Sequence, residues 1–156
     1  MVIAGNKLRK MMKLLTRSEF FPKEKMYLNE QFVGRLATAY DNAPHVTPVW
    51  YAFASGRIYV NIARNSKKMK NISSNSKVAF VVDDYLTRGG IKYARGVLIE
   101  GKAEIFESGE HYELGKRLIK EKYSSVQGFR IIDRQNRVVV KIRPDKISNW
   151  GLFSLS

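Results

Sequence analysis

The segment from Gly34 to Asp84 constrains the fold of this 156-residue chain most strongly, because its hydrophobic pattern changes partway along. Apolar and polar residues first alternate one by one, which is typical of half-buried strands. Ile58, Val60 and Ile62 share one side of such a strand. The alternation then stops at a cluster of serine and lysine, where a short helix is expected before another strand begins.

The pattern along the whole chain predicts a mainly β fold, a small antiparallel barrel of six strands with helices attached. The predicted strands cover residues 33–40, 45–53, 57–62, 77–82, 95–106 and 137–143. Helices are expected over the first twenty residues, from Pro22 to about Gly34, after Ser66, and from a Ser108 cap to about Lys122. Residues 84–94 are predicted to form a loop, and those after Pro144 a tail.

Length and composition indicate one domain, residues 23–156, preceded by a basic helical extension over residues 1–22. Hydrophobic residues make up 44% and charged residues 27%, as in ordinary globular proteins. No apolar run approaches the roughly 20 residues of a membrane-spanning helix. No signal peptide is recognisable and cysteine is absent, so a cytoplasmic protein without disulfide or thiolate chemistry is expected.

A formal charge of +14 suits an anionic partner, such as a nucleic acid, a membrane surface or a small ligand, although a solvated basic surface without such a partner would give the same charge. Residues 1–25 hold seven Lys or Arg against two Glu, and a second basic cluster runs from Arg64 to Lys77. In the first helix, four apolar residues recur at helical spacing, namely Leu8, Met11, Met12 and Leu15. This face is expected to dock on the barrel or on a partner subunit, with a membrane surface as the alternative.

The second basic cluster contains a candidate phosphate site. Ser66 is placed to cap a helix whose first turn holds Lys67 and Lys68. Cations are unfavourable at the positive end of a helix dipole unless an anion lies nearby. A hydroxyl, two ammonium groups and a helix N-terminus therefore predict a phosphate-binding site, although a plain serine cap with solvated lysines would give the same pattern.

Residues for independent catalysis are scarce. The two histidines, His45 and His111, lie far apart, and we expect strand-edge packing for the first and a surface position for the second. No metal-binding, nucleophile-elbow, P-loop or Rossmann pattern is present. No metal site is therefore predicted, and an enzyme with this sequence would need a cofactor for its reactivity.

Several segments together resemble the FMN-binding split-barrel proteins, and more narrowly the pyridoxamine 5′-phosphate oxidase-like family. They are GRLAT at 34–38, PHVTPVWY at 44–51, GRIYV at 56–60, SKK at 66–68, RGV at 95–97, GKAE at 101–104 and PDK at 144–146. The resemblance covers roughly residues 23–150. It implies a six-stranded split barrel that forms a homodimer, with two flavin sites across the subunit interface.

The resemblance also implies a set of cofactor-binding residues. The strand Val46, Thr47, Pro48, Val49 and Trp50 would line the isoalloxazine ring. Val60 and Asn61 would contact the ring or the ribityl chain, and Ser66, Lys67 and Lys68 would hold the phosphate. The implied cofactor is FMN. Some relatives use a deazaflavin coenzyme or haem instead, and for haem His45 would be the candidate ligand.

The chain also departs from the family pattern. Gly96 stands where the oxidases carry a glutamine near the flavin, and their substrate-binding arginine and histidine are missing around Trp150. We therefore expect a flavin-dependent oxidoreductase for an unidentified small molecule rather than a pyridoxamine phosphate oxidase.

Two alternatives of other classes stay open at the level of sequence. One is a non-catalytic flavin- or deazaflavin-binding protein. The other is a basic nucleic-acid-binding barrel, which we favour less because no recognisable nucleic-acid motif accompanies the charge. This second alternative would use Tyr51, Tyr59 and Tyr85 as exposed stacking surfaces.

Overall fold

The computed structural model describes residues 2–128, 130 and 136–153. Seven antiparallel strands form one sheet in the order β2-β1-β5-β6-β7-β4-β3. The strands are β1 Gly34–Tyr40, β2 Ala43–Val49, β3 Tyr51–Ala54, β4 Arg57–Ala63, β5 Lys77–Arg88, β6 Ile91–Phe106 and β7 Arg137–Trp150. The described helices are α1 Val2–Leu15, α2 Pro22–Glu30, α3 Lys67–Ser74 and α4 Glu110–Tyr123.

The mainly β split-barrel class is confirmed, but the predicted count of six strands is wrong. The predicted strand 45–53 is two strands, β2 and β3, separated at Trp50. β2 pairs with β1 and β3 pairs with β4, so these two strands are the opposite edges of the sheet. Because one residue joins the two edges, the sheet curls until they meet at Trp50. The unbroken run over residues 45–53 contains no sequence signal for this change of the pairing strand.

The predicted loop at 84–94 is also wrong, since β5 and β6 continue through it as a long hairpin. Their pairing runs without a break to Arg88 and Ile91. The turn consists of Gly89 and Gly90 at φ 55° and 79°, a left-handed conformation that glycine adopts readily and that suits a two-residue hairpin turn. Alternation is weak here because most of these side chains are exposed.

The predicted tail after Pro144 is instead the second half of β7. A β-bulge lies opposite Pro144, between Glu100 and Gly101. Proline lacks an N–H for the ladder and is tolerated at bulges. A Cβ on Gly101 would lie 2.1 Å from the carbonyl oxygen of Arg143, so only glycine fits this crossing.

The helix predictions are confirmed in their positions and corrected at two ends. Pro22 opens α2, and the Ser66 hydroxyl accepts the N–H of Met69 as the cap of α3. α2 ends at Glu30, whereas Gly34 belongs to β1, where the Phe80 ring fills the space of a side chain. Gly109, not Ser108, is the N-cap of α4.

The main core lies inside the curled sheet and contains fully buried side chains from β1, β4, β5, β6 and β7, including Leu36, Ile58, Val60, Phe80, Ile99 and Val140. A smaller cluster joins α4 to β3 through Ala52, Ile119 and Tyr123. Among the described helices, none combines the length and the apolar character needed to cross a bilayer.

Candidate functional site

A cavity of about 270 Å³ lies where β2 passes into β3, beside the first turn of α3 and the start of β7. Its lining is apolar at one end and polar and cationic at the other. The lining residues are Pro48, Val49, Trp50, Asn61, Lys68, Gln127, Gly128 and Arg137. Ligand sites commonly join an apolar wall to a few convergent polar groups in this way.

The apolar wall is held from behind by α4. The Trp50 ring stacks on the Tyr123 ring, with centroids 4.7 Å apart and an interplanar angle of 13°. The Tyr123 hydroxyl accepts the N–H of Tyr51 at 2.9 Å and donates to the carbonyl oxygen of Phe32 at 2.6 Å. Burial raises the pKa of Tyr123 to about 12, so this hydroxyl keeps its proton near neutral pH. Tyr123 thus fixes both the ring and the backbone at the β2–β3 junction.

Asn61 provides a hydrogen-bond donor at the polar end. Only 5% of this residue is exposed. Its side-chain oxygen accepts from Nε of Arg137, and its backbone carbonyl accepts from Nη2 of the same residue at 2.7 Å. The side-chain Nδ2 is buried and has no partner among the described residues. Buried donors are normally satisfied, so a ligand acceptor in the cavity would complete this group.

Lys68 and Arg137 place two positive charges at this end. Burial, and then the charge of Arg137, lowers the pKa of Lys68 from its usual range. Ser66 fixes the turn that carries Lys68, because its hydroxyl donates to the Ala63 carbonyl at 2.7 Å while capping α3. An anion between the two cations would offset their mutual repulsion, and a phosphate suits this arrangement.

The structure brings five of the ten predicted cofactor-binding residues to one cavity: Pro48, Val49, Trp50, Asn61 and Lys68. The Val60 side chain is fully buried in the core, so this residue has only its backbone to offer. Val46 is 63% exposed on the edge strand β2, next to the half-buried Thr47. Ser66 serves as the helix cap, and Lys67 is exposed and outside the cavity lining.

The sequence analysis missed Gln127, Gly128 and Arg137. Arg137 begins β7 and lies 76 positions from its partner Asn61, so no local motif links the two. Gln127 and Gly128 follow α4 in an irregular segment without a recognisable pattern.

The two histidines lie apart from the cavity lining. His45 is half-buried on β2, opposite Thr38 of β1. His111 is half-buried rather than a plain surface residue: its ring packs on Phe106 at 4.9 Å, and its Nδ1 is buried without a partner in the described part of the chain. Within residues 2–128, 130 and 136–153, no three His, Asp or Glu side chains meet as a metal site.

The stacking surfaces expected for a nucleic-acid-binding barrel are mostly buried. Tyr51 is 0% exposed and Tyr59 3%, so the expectation for these two residues is wrong. Tyr85, on the β5–β6 hairpin, is 68% exposed. The three expected rings therefore do not form the row of stacking surfaces that single-stranded nucleic acid uses.

Gly96 is explained by the residue opposite it. β6 and β7 pair Gly96 with Trp150, and a Cβ on Gly96 would lie 2.3 Å from the Trp150 ring. The indole therefore occupies the space that a side chain at 96 would need. The absence of a glutamine here is part of the packing of this sheet.

A seven-stranded split barrel with a mixed apolar and cationic cavity defines a class of cofactor-binding barrel, and comparison with known proteins identifies the family. The family described as pyridoxamine 5′-phosphate oxidase matches residues 21–151. The chain belongs to this family, which confirms the resemblance seen in the sequence.

Individual relatives agree with this assignment. A 5a,11a-dehydrotetracycline/5a,11a-dehydrooxytetracycline reductase from Streptomyces rimosus is 37% identical over 95 residues, which are 58% of this chain and 66%, just under two thirds, of that enzyme. The crystal structure of a conserved hypothetical protein from Mycobacterium tuberculosis is 28% identical, with a TM-score of 0.71 over 86% of this chain and 87% of that one. A FAD-binding protein from Mesorhizobium loti is 23% identical and shares the fold, with a TM-score of 0.65 over 83% and 92% of the two chains.

Proposed function

We propose that this protein binds FMN in the cavity beside Trp50 and acts as an oxidoreductase on a small molecule. The observation that carries the proposal is the cavity itself, in which an apolar wall leads to the Lys68–Arg137 pair. Bound FMN would supply the hydride or electron transfer, which no side chain of the cavity offers.

The residues of the cavity fit such a cofactor in three parts. Pro48, Val49 and Trp50 would lie against the flat ring system. Asn61 would donate its unpartnered N–H to a ring or ribityl oxygen, which would satisfy a buried group. Lys68 and Arg137 would bind the phosphate, a dianion at neutral pH, through charge-assisted hydrogen bonds.

Family membership and the reductase from Streptomyces rimosus support an oxidoreductase. Oxidation of pyridoxamine 5′-phosphate is not proposed. The glutamine position of the oxidases is Gly96, packed under Trp150, and their C-terminal substrate-binding cluster is absent from residues 150–156.

We further propose that the protein is a homodimer whose second copy completes the cofactor site. The cavity of about 270 Å³ is slightly smaller than most ligand sites, which run from roughly 300 to 1,000 Å³. A groove of about 440 Å³ runs over β1, β5 and β6, where the small residues Ala37, Ala39 and Ala79 allow close approach of a second sheet. The cytoplasmic location and the domain boundary after residue 22 remain predictions from the sequence.

The first experiment is a visible absorption spectrum of the purified protein, followed by mass spectrometry of the released ligand. A flavin spectrum with the mass of FMN supports the proposal, whereas the mass of a deazaflavin would show that the cofactor is a deazaflavin instead of FMN. Colourless protein that also leaves FMN fluorescence unchanged on titration would refute it. Turnover is then measured as substrate-dependent reoxidation of the reduced cofactor.

A pair of lysine variants tests the phosphate assignment. Lys68→Gln is expected to weaken FMN about tenfold, since a hydrogen bond to a charged group contributes about 1.5–3 kcal/mol. Riboflavin, which lacks the phosphate, should lose much less affinity. Lys67→Gln removes the neighbouring exposed charge and is the matched control. If Lys68→Gln weakens both ligands equally, the phosphate lies elsewhere.

A further inference from the structure

The first helix is not explained by the proposed cofactor site. The family match begins at residue 21, after α1 has ended. Along the described part of its apolar stripe, Leu8 is 57% exposed, Met11 52% and Met12 58%. The expectation that this face docks on the barrel is therefore wrong for these three residues. Three exposed apolar side chains in one helical stripe, rather than scattered singly, indicate a partner.

The charge of α1 limits what that partner is. Residues 1–18 contain Lys7, Arg9, Lys10, Lys13 and Arg17, and no acidic residue. On a helical projection, Arg9 and Lys10 fall on the side away from the stripe, and Lys7 falls at its margin. A narrow apolar stripe with cations on the remaining surface is the pattern of helices that lie in the plane of an anionic membrane.

The segment that follows α1 is attached to the rest of the protein. Arg17 forms an ion pair with the fully buried Glu24 and lies 4.0 Å over the ring of Phe21. The Arg17 carbonyl accepts the N–H of Ile147 in β7 at 2.8 Å, and Asn149 donates to Glu24 at 2.6 Å. The chain just after α1 is thus held against α2 and β7, while Leu8, Met11 and Met12 of the stripe are exposed.

We propose that α1 binds the protein to the surface of anionic lipid membranes. The stripe would enter the boundary between headgroups and acyl chains, and the flanking cations would contact lipid phosphates. The α1 helix of a second copy is a poorer partner for the stripe, because it carries the same cluster of cations without an acidic residue. A nucleic acid would use the cations but leave the apolar stripe in water.

Co-flotation of the full-length protein with lipid vesicles tests the proposal. The two vesicle types are pure phosphatidylcholine, and phosphatidylcholine mixed equally with phosphatidylglycerol. We expect binding to the anionic vesicles and at least about tenfold less to the neutral ones, given the separate contribution of each basic residue. Met11→Asp with Met12→Asp, and separately Lys7→Gln with Lys10→Gln, should each lower vesicle binding about tenfold or more.

The substituted side chains are exposed, so thermal unfolding should match that of the unchanged protein. Lys25→Gln with Lys92→Gln replaces two exposed lysines outside α1 and is the matched charge control, which should leave vesicle binding intact. Several results would overturn the proposal: no binding to anionic vesicles, binding insensitive to the methionine variants, or an equal loss in this charge control. It would also be overturned if the stripe variants changed self-association, measured by sedimentation, but not vesicle binding. The same holds if Lys7 and Lys10 affected binding to an oligonucleotide but not to vesicles.

Discussion

Clustered positive charge occurs in two regions of the molecule, in opposite settings. On α1, Lys7, Arg9 and Lys10 are exposed, and the chain is anchored only after the helix, at Arg17. At the cavity, Lys68 is half-buried and Arg137 is bonded to Asn61. The same residue types are therefore exposed and hydrated in one place, and partly desolvated and hydrogen-bonded into a cavity wall in the other.

The difference shows why net charge alone does not identify a ligand. Hydrated lysines bind any dense array of negative charge, and salt screens them strongly. A fixed, partly buried pair selects an anion of one size and geometry, since its hydrogen bonds have set directions. In this protein the first arrangement suits a surface, and the second suits a single phosphate group.

The largest expected effect comes from removing both cavity cations. Lys68→Gln with Arg137→Gln should weaken FMN about 100-fold or more, because two charge-assisted contacts of about 1.5–3 kcal/mol each are lost. The matched α1 pair, Lys7→Gln with Lys10→Gln, should change FMN affinity by no more than about twofold. Fluorescence titration measures both. Similar losses in the two variants would mean that the regions do not have separate ligands.

The next largest expected effect is on the free energy of unfolding, which should depend on side chains that support the cavity but not on those of the α1 stripe. Tyr123→Phe removes the hydroxyl that accepts the buried N–H of Tyr51, and it should lower the free energy of unfolding by about 1–3 kcal/mol. It should also weaken both FMN and riboflavin, because the wall at Trp50 loses its support. Met12→Ala on α1 should change stability by less than about 0.5 kcal/mol. Urea unfolding that shows equal stability for Tyr123→Phe and the unchanged protein would count against this role.

Salt concentration should affect ligand binding at the two regions differently, and the difference should be smaller than for the substitutions above. Between about 0.05 M and about 0.5 M NaCl, binding to anionic vesicles should fall about tenfold, since the exposed cations are screened. FMN affinity should fall by no more than about threefold, because partly buried charges are screened less. Calorimetry and flotation at matched salt give the comparison. An FMN site as salt-sensitive as vesicle binding would show that its cations are not desolvated.

The smallest expected effect is a dependence of FMN affinity on pH. Burial and Arg137 lower the pKa of Lys68, so this lysine loses its proton at a lower pH than an ordinary lysine. Since the phosphate binds the charged form, FMN affinity should fall several-fold as the pH rises through that lowered pKa. Riboflavin affinity should stay level. Lys68→Arg should remove the dependence, because arginine remains protonated; a dependence that persists in Lys68→Arg arises from another group.

Local patterns in the sequence predict the elements of this fold well. Alternation locates the middle of each strand, and Pro22 and Ser66 locate two helix starts, because these signals act over a few residues. The exit from β2 to the opposite sheet edge at Trp50 has no such signal. It depends on the pairing of β2 with β1 and of β3 with β4, which only the folded sheet provides.

In the candidate site, too, the sequence predicts the features that depend on neighbouring residues and misses those that depend on strand pairing. Lys68 was predicted from the sequence because it stands beside its own helix cap. Arg137 was not, because it reaches the cavity only after β7 pairs with β4 and brings it to Asn61. Val60 was expected to contact the cofactor because of its position at a strand end, but its side chain is buried in the hydrophobic core.

The contact between Gly96 and Trp150 has a consequence for altering this protein. Because the indole ring occupies the place of a side chain at 96, the two positions are coupled. Introducing the oxidase glutamine at 96 alone would require the partly exposed Trp150 ring to move, and shortening Trp150 alone would expose the glycine backbone to solvent. An engineering route toward oxidase-like chemistry should therefore vary both residues together, and we expect adaptive changes at the two positions to be epistatic.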